Sequence, residues 1–145
     1  MKILIINGPN LNLLGTRNKE VYGTGTLPEL ETAITKSFPD HVFSFYQSNI
    51  EGELINRIQQ AMRDGTEGIV ANFGAYTHTS VALRDAMEPV TVPKVEVHIS
   101  NIHAREDFRK ESLTGAKMDG IITGFGKASY LLGVQAIEHL SNSTV

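Results

Sequence analysis

Apolar residues gather along the chain into five short runs, at 3–6, 42–46, 68–71, 95–99 and 120–123. Between or after them come stretches with helical spacing, at 28–38, 53–63, 80–87 and 127–140. The first of these opens on Thr26 with Glu29 three residues on, a capping box, and Pro28 falls in its first turn. Asp64-Gly65 closes the second. Alternation of strand and helix over a whole chain implies a parallel sheet covered on both faces. Five strands at this length predict one α/β domain with the flavodoxin-like doubly wound order. Ligands of such sheets sit at the carboxyl ends of the strands, near the point where strand order reverses. No repeat or low-complexity tract interrupts the pattern.

The polar residues after each run are therefore the candidates for chemistry. The first run leads into Gly8-Pro9-Asn10-Leu11-Asn12-Leu13-Leu14-Gly15-Thr16-Arg17 and on through Tyr22 to Gly25. That is far longer than the usual βα loop of about 2–6 residues. It is either a lid over the site, within about residues 16–25, or a surface insertion with a short apolar helix (Leu11, Leu13, Leu14) tucked on the core. The second run leads into Gln47-Ser48-Asn49-Ile50-Glu51-Gly52, whose polar groups suit the cap of the next helix. Asn72 ends the third run, and His78 follows shortly before Thr79 and Ser80, either of which suits an N-cap.

The fourth run departs from its neighbours. Buried parallel strands read as continuous apolar stretches, yet Glu96, His98 and Ser100 alternate with Val95, Val97 and Ile99, which puts the three polar side chains on one face. An edge strand with one wet face is the plain explanation. A carboxylate two residues before a histidine is also a general-acid arrangement, since it orients and charge-stabilises the ring. Arg105 and Arg109 follow, spaced by one helical turn. His41 and His139 lack such company, and Tyr46 and Tyr130 lie inside elements and read as packing.

Composition narrows the chemistry. The net charge is -3 with no basic excess, which argues against a nucleic-acid binder. There are no cysteines, which removes disulfides, thiolate nucleophiles and Cys-based metal sites. The first apolar run stops at Asn7-Gly8-Pro9, too short for a signal segment or a membrane span, so a cytoplasmic protein with no membrane partner is expected. His78, His98, His103 and Glu96 lack the spacing that sets two metal ligands on one helix face, so no metal is expected. Serine-hydrolase, Walker and dinucleotide signatures are missing. Acid–base chemistry on a small polar substrate remains. Tyr22 suits it five residues after Arg17, because a nearby guanidinium favours a phenolate whose free pKa is near 10. An aromatic packed in the loop fits the same residues.

These motifs together resemble those of type II 3-dehydroquinate dehydratases. The resemblance rests on Asn7-Gly8-Pro9-Asn10-Leu11-Asn12-Leu13-Leu14-Gly15-x-Arg17 with Tyr22-Gly23, on Gln47-Ser48-Asn49-x-Glu51-Gly52 and on Gly74-Ala75-Tyr76-Thr77-His78-Thr79-Ser80. Glu96-Val97-His98-x-Ser100-Asn101 and Gly124-Phe125-Gly126 complete it, in order over nearly the whole chain. It implies a hydro-lyase that converts 3-dehydroquinate to 3-dehydroshikimate and water, without cofactor or metal, in the shikimate or quinate pathway. The implied route is anti elimination through an enolate. By the same resemblance Tyr22 is the base, Arg17 keeps it ionised, and Asn10 holds the water that stabilises the enolate. His98, oriented by Glu96, is the acid. Asn72, Ser100 and the backbone of Ile99 and Ser100 hold the substrate carboxylate. His78 and Arg109 bind ring hydroxyls, Arg105 supports the lid, and Asp85 reaches a neighbour's site in a dodecamer of four trimers.

Three positions depart from the family pattern: Phe73 in place of a proline, Asn18-Lys19 in place of Glu-Pro, and Asn56 in place of an aspartate. The rival class is a non-catalytic flavodoxin-like binder. A flavodoxin needs a Ser/Thr-rich phosphate loop after the first strand, and a signalling receiver needs acidic residues at the ends occupied here by Asn7 and Asn72. A catalytically silent relative is the other alternative, at odds with Asn10, Arg17, Tyr22 and His98 all being present.

Overall fold

The computed structural model describes residues 1–16, 18–22 and 25–143, apart from the side chains of Lys19 and Tyr22. Five strands, β1 (Lys2–Asn7), β2 (Val42–Gln47), β3 (Gly68–Asn72), β4 (Lys94–His98) and β5 (Gly120–Thr123), form one parallel sheet in the order β2-β1-β3-β4-β5. This is the flavodoxin-like order, and it reverses between β1 and β3. The helices are α1 (Lys19–Tyr22), α2 (Leu27–Ser37), α3 (Glu51–Ala61), α4 (Val81–Met87) and α5 (Ala128–Asn142).

Alternation along β1 explains why its sequence is apolar throughout. Ile3 and Ile5 pack with α2 and α5, through Leu30, Ile34, Val134 and Ile137. Leu4 and Ile6 pack on the other face with α3 and α4, through Leu54, Ile58, Leu83 and Met87. Fully burying side chains of this size contributes about 1.5–3 kcal/mol each. The helix α5 lies close on the sheet because of Gly133, where a Cβ would come 2.9 Å from Val97 Cγ1.

Local signals are met at two helix starts. Thr26 accepts from the Glu29 N–H at 3.3 Å, and Ser80 accepts from the Leu83 N–H at 2.9 Å. The start of α3 differs from expectation. Its N-cap is Ile50, which offers no side-chain cap. The loop's polar groups are used otherwise: Ser48 accepts from the Ile50 N–H at 2.9 Å, and Asn49 accepts from the Asn10 N–H at 2.9 Å. The short helix α1 inside the first long connection was not legible in the apolar pattern. Leu11–Leu13 form a 3-10 turn that buries Leu11, with Leu14 buried beside it, while Leu13, expected on the core with them, is exposed. Arg17, Gly23, Thr24 and the Tyr22 side chain, on which the lid expectation chiefly rests, lie outside the described residues.

Candidate active site

The carboxyl ends of β1, β3 and β4 converge on a cleft of about 120 Å³. It is lined among others by Asn10, Asn72, His78, His98, Ser100 and Arg109, with Ile99 and Arg105 also present. The cleft lies where strand order reverses, as the fold requires. Next to the lining residue Pro9, Gly8 lets the two strand ends approach closely: an added Cβ would run into the Phe73 carbonyl, and the Gly8 N–H donates to the Asn72 carbonyl at 2.7 Å.

The strand β4 is central, between β3 and β5, so the edge-strand explanation of its polar face fails. Val95 and Val97 join the α2/α5 core, while Glu96 and His98 point to the opposite face and are 0% and 5% exposed. A buried carboxylate is tolerated only when its oxygens are well supplied with donors. Glu96 Oε2 accepts from His98 Nε2 at 2.9 Å and from the Ser112 hydroxyl at 2.7 Å, and Oε1 accepts from the Thr114 hydroxyl. Burial alone raises the Glu96 pKa, but the His98 hydrogen bond and charge, with those from Thr114 and Ser112, outweigh it and leave the carboxyl below its usual range. The lowered pKa favours the anionic form of Glu96, and with Nε2 committed to it, His98 has Nδ1 left for the cleft.

The Glu96 network couples folding to pH. A carboxyl lowered in the folded state contributes stability above its unfolded pKa of about 4.3, and that contribution is lost as pH falls through the lower folded value. Glu96→Gln has no such titration and confronts three donors with one acceptor oxygen. It is expected to melt lower at neutral pH by an amount that shrinks on acidification. Thermal unfolding at pH 7 and pH 3.5 checks this; a gap that widened in acid would contradict it.

His78 stacks on His98, with ring centroids 6.3 Å apart. Its Nδ1 donates to the Glu111 carbonyl at 2.7 Å, since a carbonyl only accepts. Burial pulls its pKa below the ordinary histidine value, and the His98 and Arg109 charges add to this against the Glu111 bond. A neutral His78 therefore presents Nε2 as an acceptor, suited to a hydroxyl. Arg105 and Arg109 both line the cleft but not from one helix, contrary to the spacing argument. Arg105 follows the 3-10 turn Ile102–Ala104, and Arg109 ends a separate one, Asp107–Arg109. Arg105 donates to the Ser100 hydroxyl at 3.4 Å, and Arg109 Nε donates to Glu106 at 2.7 Å. Asn10 holds a left-handed φ of 69°, a conformation that costs a non-glycine residue energy and that concentrates at functional sites.

Other expected residues fall elsewhere. Asp85 is exposed on α4 and is not part of the cleft lining. Phe73 is fully buried among the α3/α4 core side chains, so its ring is a core residue rather than a cleft residue. Asn56 is exposed on α3. Tyr130 is more than packing: its hydroxyl donates to Asn7 Oδ1 at 2.5 Å and accepts from Asn72 Nδ2 at 2.9 Å. Ser112 and Thr114 went unread, and Asn7 was read only as a strand end and a motif position. The two hydroxyls come from a loop and from the start of the 3-10 turn Thr114–Lys117, where no periodicity marks them, but an asparagine ending a buried strand could have signalled a hidden partner. Among the described residues no group of three His, Asp or Glu side chains forms a metal cage, and no helix is long and apolar enough to cross a membrane.

A doubly wound sheet with a buried carboxylate–histidine pair at the mouth of a polar cleft defines an α/β enzyme equipped for acid–base chemistry. The chain belongs to the class II dehydroquinase family, whose model, "Dehydroquinase class II", matches residues 1–138. It is 53% identical over 139 residues to a 3-dehydroquinate dehydratase of Fusobacterium nucleatum, covering 92% of this chain and 94% of that one. It is 50% identical to one of Prochlorococcus marinus over 98% and 99% of the two chains. The crystal structure of the type II dehydroquinase from Butyrivibrio crossotus superposes with a TM-score of 0.93 at 45% identity, over 95% of this chain and 97% of that one.

Proposed function

We propose that this chain dehydrates 3-dehydroquinate to 3-dehydroshikimate by anti elimination through an enolate, with Tyr22 as base and His98 as general acid. The observation that carries the acid is the buried His98–Glu96 pair, 2.9 Å apart and open to the cleft through His98. What supports the base is the resemblance of the Arg17–Tyr22 segment to the family's opening motif, within the stretch the family model matches.

In this mechanism the Tyr22 phenolate takes the proton from C2, which is acidic beside the C3 carbonyl. The electron pair moves into a C2–C3 double bond, leaving the charge on the carbonyl oxygen. A water held by Asn10 stabilises that enolate. The pair then returns to form the C1–C2 double bond as the C1–O bond breaks, and His98 gives its proton so that water departs. The proton gained by Tyr22 and the one lost by His98 balance over the turnover. Asn72 and Ser100 suit the substrate carboxylate, and neutral His78 with Arg109 suits the ring hydroxyls. Asp85, exposed on α4, suits a role in a neighbouring subunit's site within a dodecamer of four trimers. We place the reaction in the cytoplasm.

No covalent adduct and no metal enters this route. Borohydride added with substrate, which traps imines, should leave activity intact, and dialysis against a chelator should leave kcat unchanged. Irreversible loss with borohydride would point to a lysine Schiff base instead.

A further inference from the structure

The two strands that flank the switch point both end in asparagine, and Asn7 and Asn72 are paired in register. Both are buried, and Tyr130 from α5 reaches them from within the core with no exposed surface of its own. Each hydrogen bond in this group has a direction. The Tyr130 hydroxyl has one proton and gives it to Asn7 Oδ1 at 2.5 Å. Toward Asn72 it can therefore only accept, and Nδ2 donates to it at 2.9 Å. On the other side Asn72 Oδ1 accepts from the Gly74 N–H at 3.1 Å. A reversed amide would set NH₂ against the Gly74 N–H and a carbonyl against a hydroxyl lone pair, two repulsions at a buried side chain. The second Nδ2 proton has no partner among the described residues, and Asn72 lines the cleft.

We infer that Tyr130 is a positioning residue for substrate binding: through Asn72 it fixes an amide N–H toward the cleft, where it meets the substrate carboxylate. This rests on the assignment of Asn72 to that carboxylate. Burial holds the phenol well above its ordinary pKa, so its proton stays in place for Asn7 across the working pH range. Tyr130 itself touches no substrate atom. Its hydroxyl sets which end of Asn72 the substrate meets, so an anion is favoured.

The test is steady-state kinetics on Tyr130→Phe, Asn72→Ala and the double variant. Tyr130→Phe is expected to raise KM about tenfold while kcat stays within about threefold, because the lost interaction is made equally in ground and transition states. In the Asn72→Ala background, Tyr130→Phe should add no further rise, since its effect passes through the missing amide. If Tyr130→Phe does not fold, Asn7→Ala frees the same hydroxyl to turn and should raise KM about threefold, again without effect once Asn72 is gone. An unchanged KM in whichever variant folds, or a rise that persists in the Asn72→Ala background, overturns the inference. A KM unmoved by Asn72→Ala alone overturns the carboxylate assignment and the inference with it.

Discussion

Tyr22→Phe should lower kcat by about 10⁴-fold, the upper end of what a positioned acid or base contributes, with substrate affinity changed by no more than about threefold. The change removes one oxygen and leaves the ring, so packing and shape are retained. What disappears is the only proposed group able to take the C2 proton. A free phenol is a poor base at neutral pH, since its pKa is near 10. The base works only if a cation stabilises the phenolate, and Arg17, five residues earlier, is the proposed source. Arg17→Ala should accordingly move the acid limb of the kcat/KM profile upward in pH, whereas Tyr22→Phe should remove turnover at every pH. Titration calorimetry separates binding from chemistry. Near-normal turnover in Tyr22→Phe would mean that another group takes the proton.

His98→Ala should lower kcat by about 10³-fold, because hydroxide is a poor leaving group without a proton. The substitution also strips Glu96 of the partner at 2.9 Å and leaves a buried carboxylate with only the Ser112 and Thr114 hydroxyls. A lower melting temperature is therefore expected together with the lost rate. A substrate analogue separates the two effects. If the C1 hydroxyl is replaced by a group that departs as a stable anion, the acid is no longer needed, and His98→Ala should process the analogue nearly as fast as the parent enzyme does. Equal sensitivity of both substrates to His98→Ala would show that the histidine serves binding or folding rather than proton donation.

Much of the architecture was legible because its physical causes are local. Strands covered on both faces read as apolar runs, and Ile3 to Ile6 serve two cores at once. Glu96 and His98 could be found because they break such a run, and their burial in a central strand explains why polar side chains there need a purpose. What stayed hidden depends on chain that periodicity cannot describe. Arg105 follows one 3-10 turn in extended backbone and Arg109 ends another, although their spacing matches one helix. Ser112 and Thr114 reach Glu96 from a loop and the 3-10 turn that follows it. Tyr130 looks like any aromatic on a buried helix face, and its polar role exists only because β1 and β3 bring two asparagines to its hydroxyl. Tyr22 showed only as an aromatic in an overlong loop five residues after Arg17, which a packed aromatic fits equally, and the family motif is what singled it out as a base.

The most direct measurement adds purified protein to 3-dehydroquinate in buffer with a chelator and follows the ultraviolet band of the conjugated enone. Steady growth of that band, at a rate proportional to enzyme and absent with Tyr22→Phe, is the expected result. No enone from the unaltered protein, or the same rate from Tyr22→Phe, contradicts the proposed elimination.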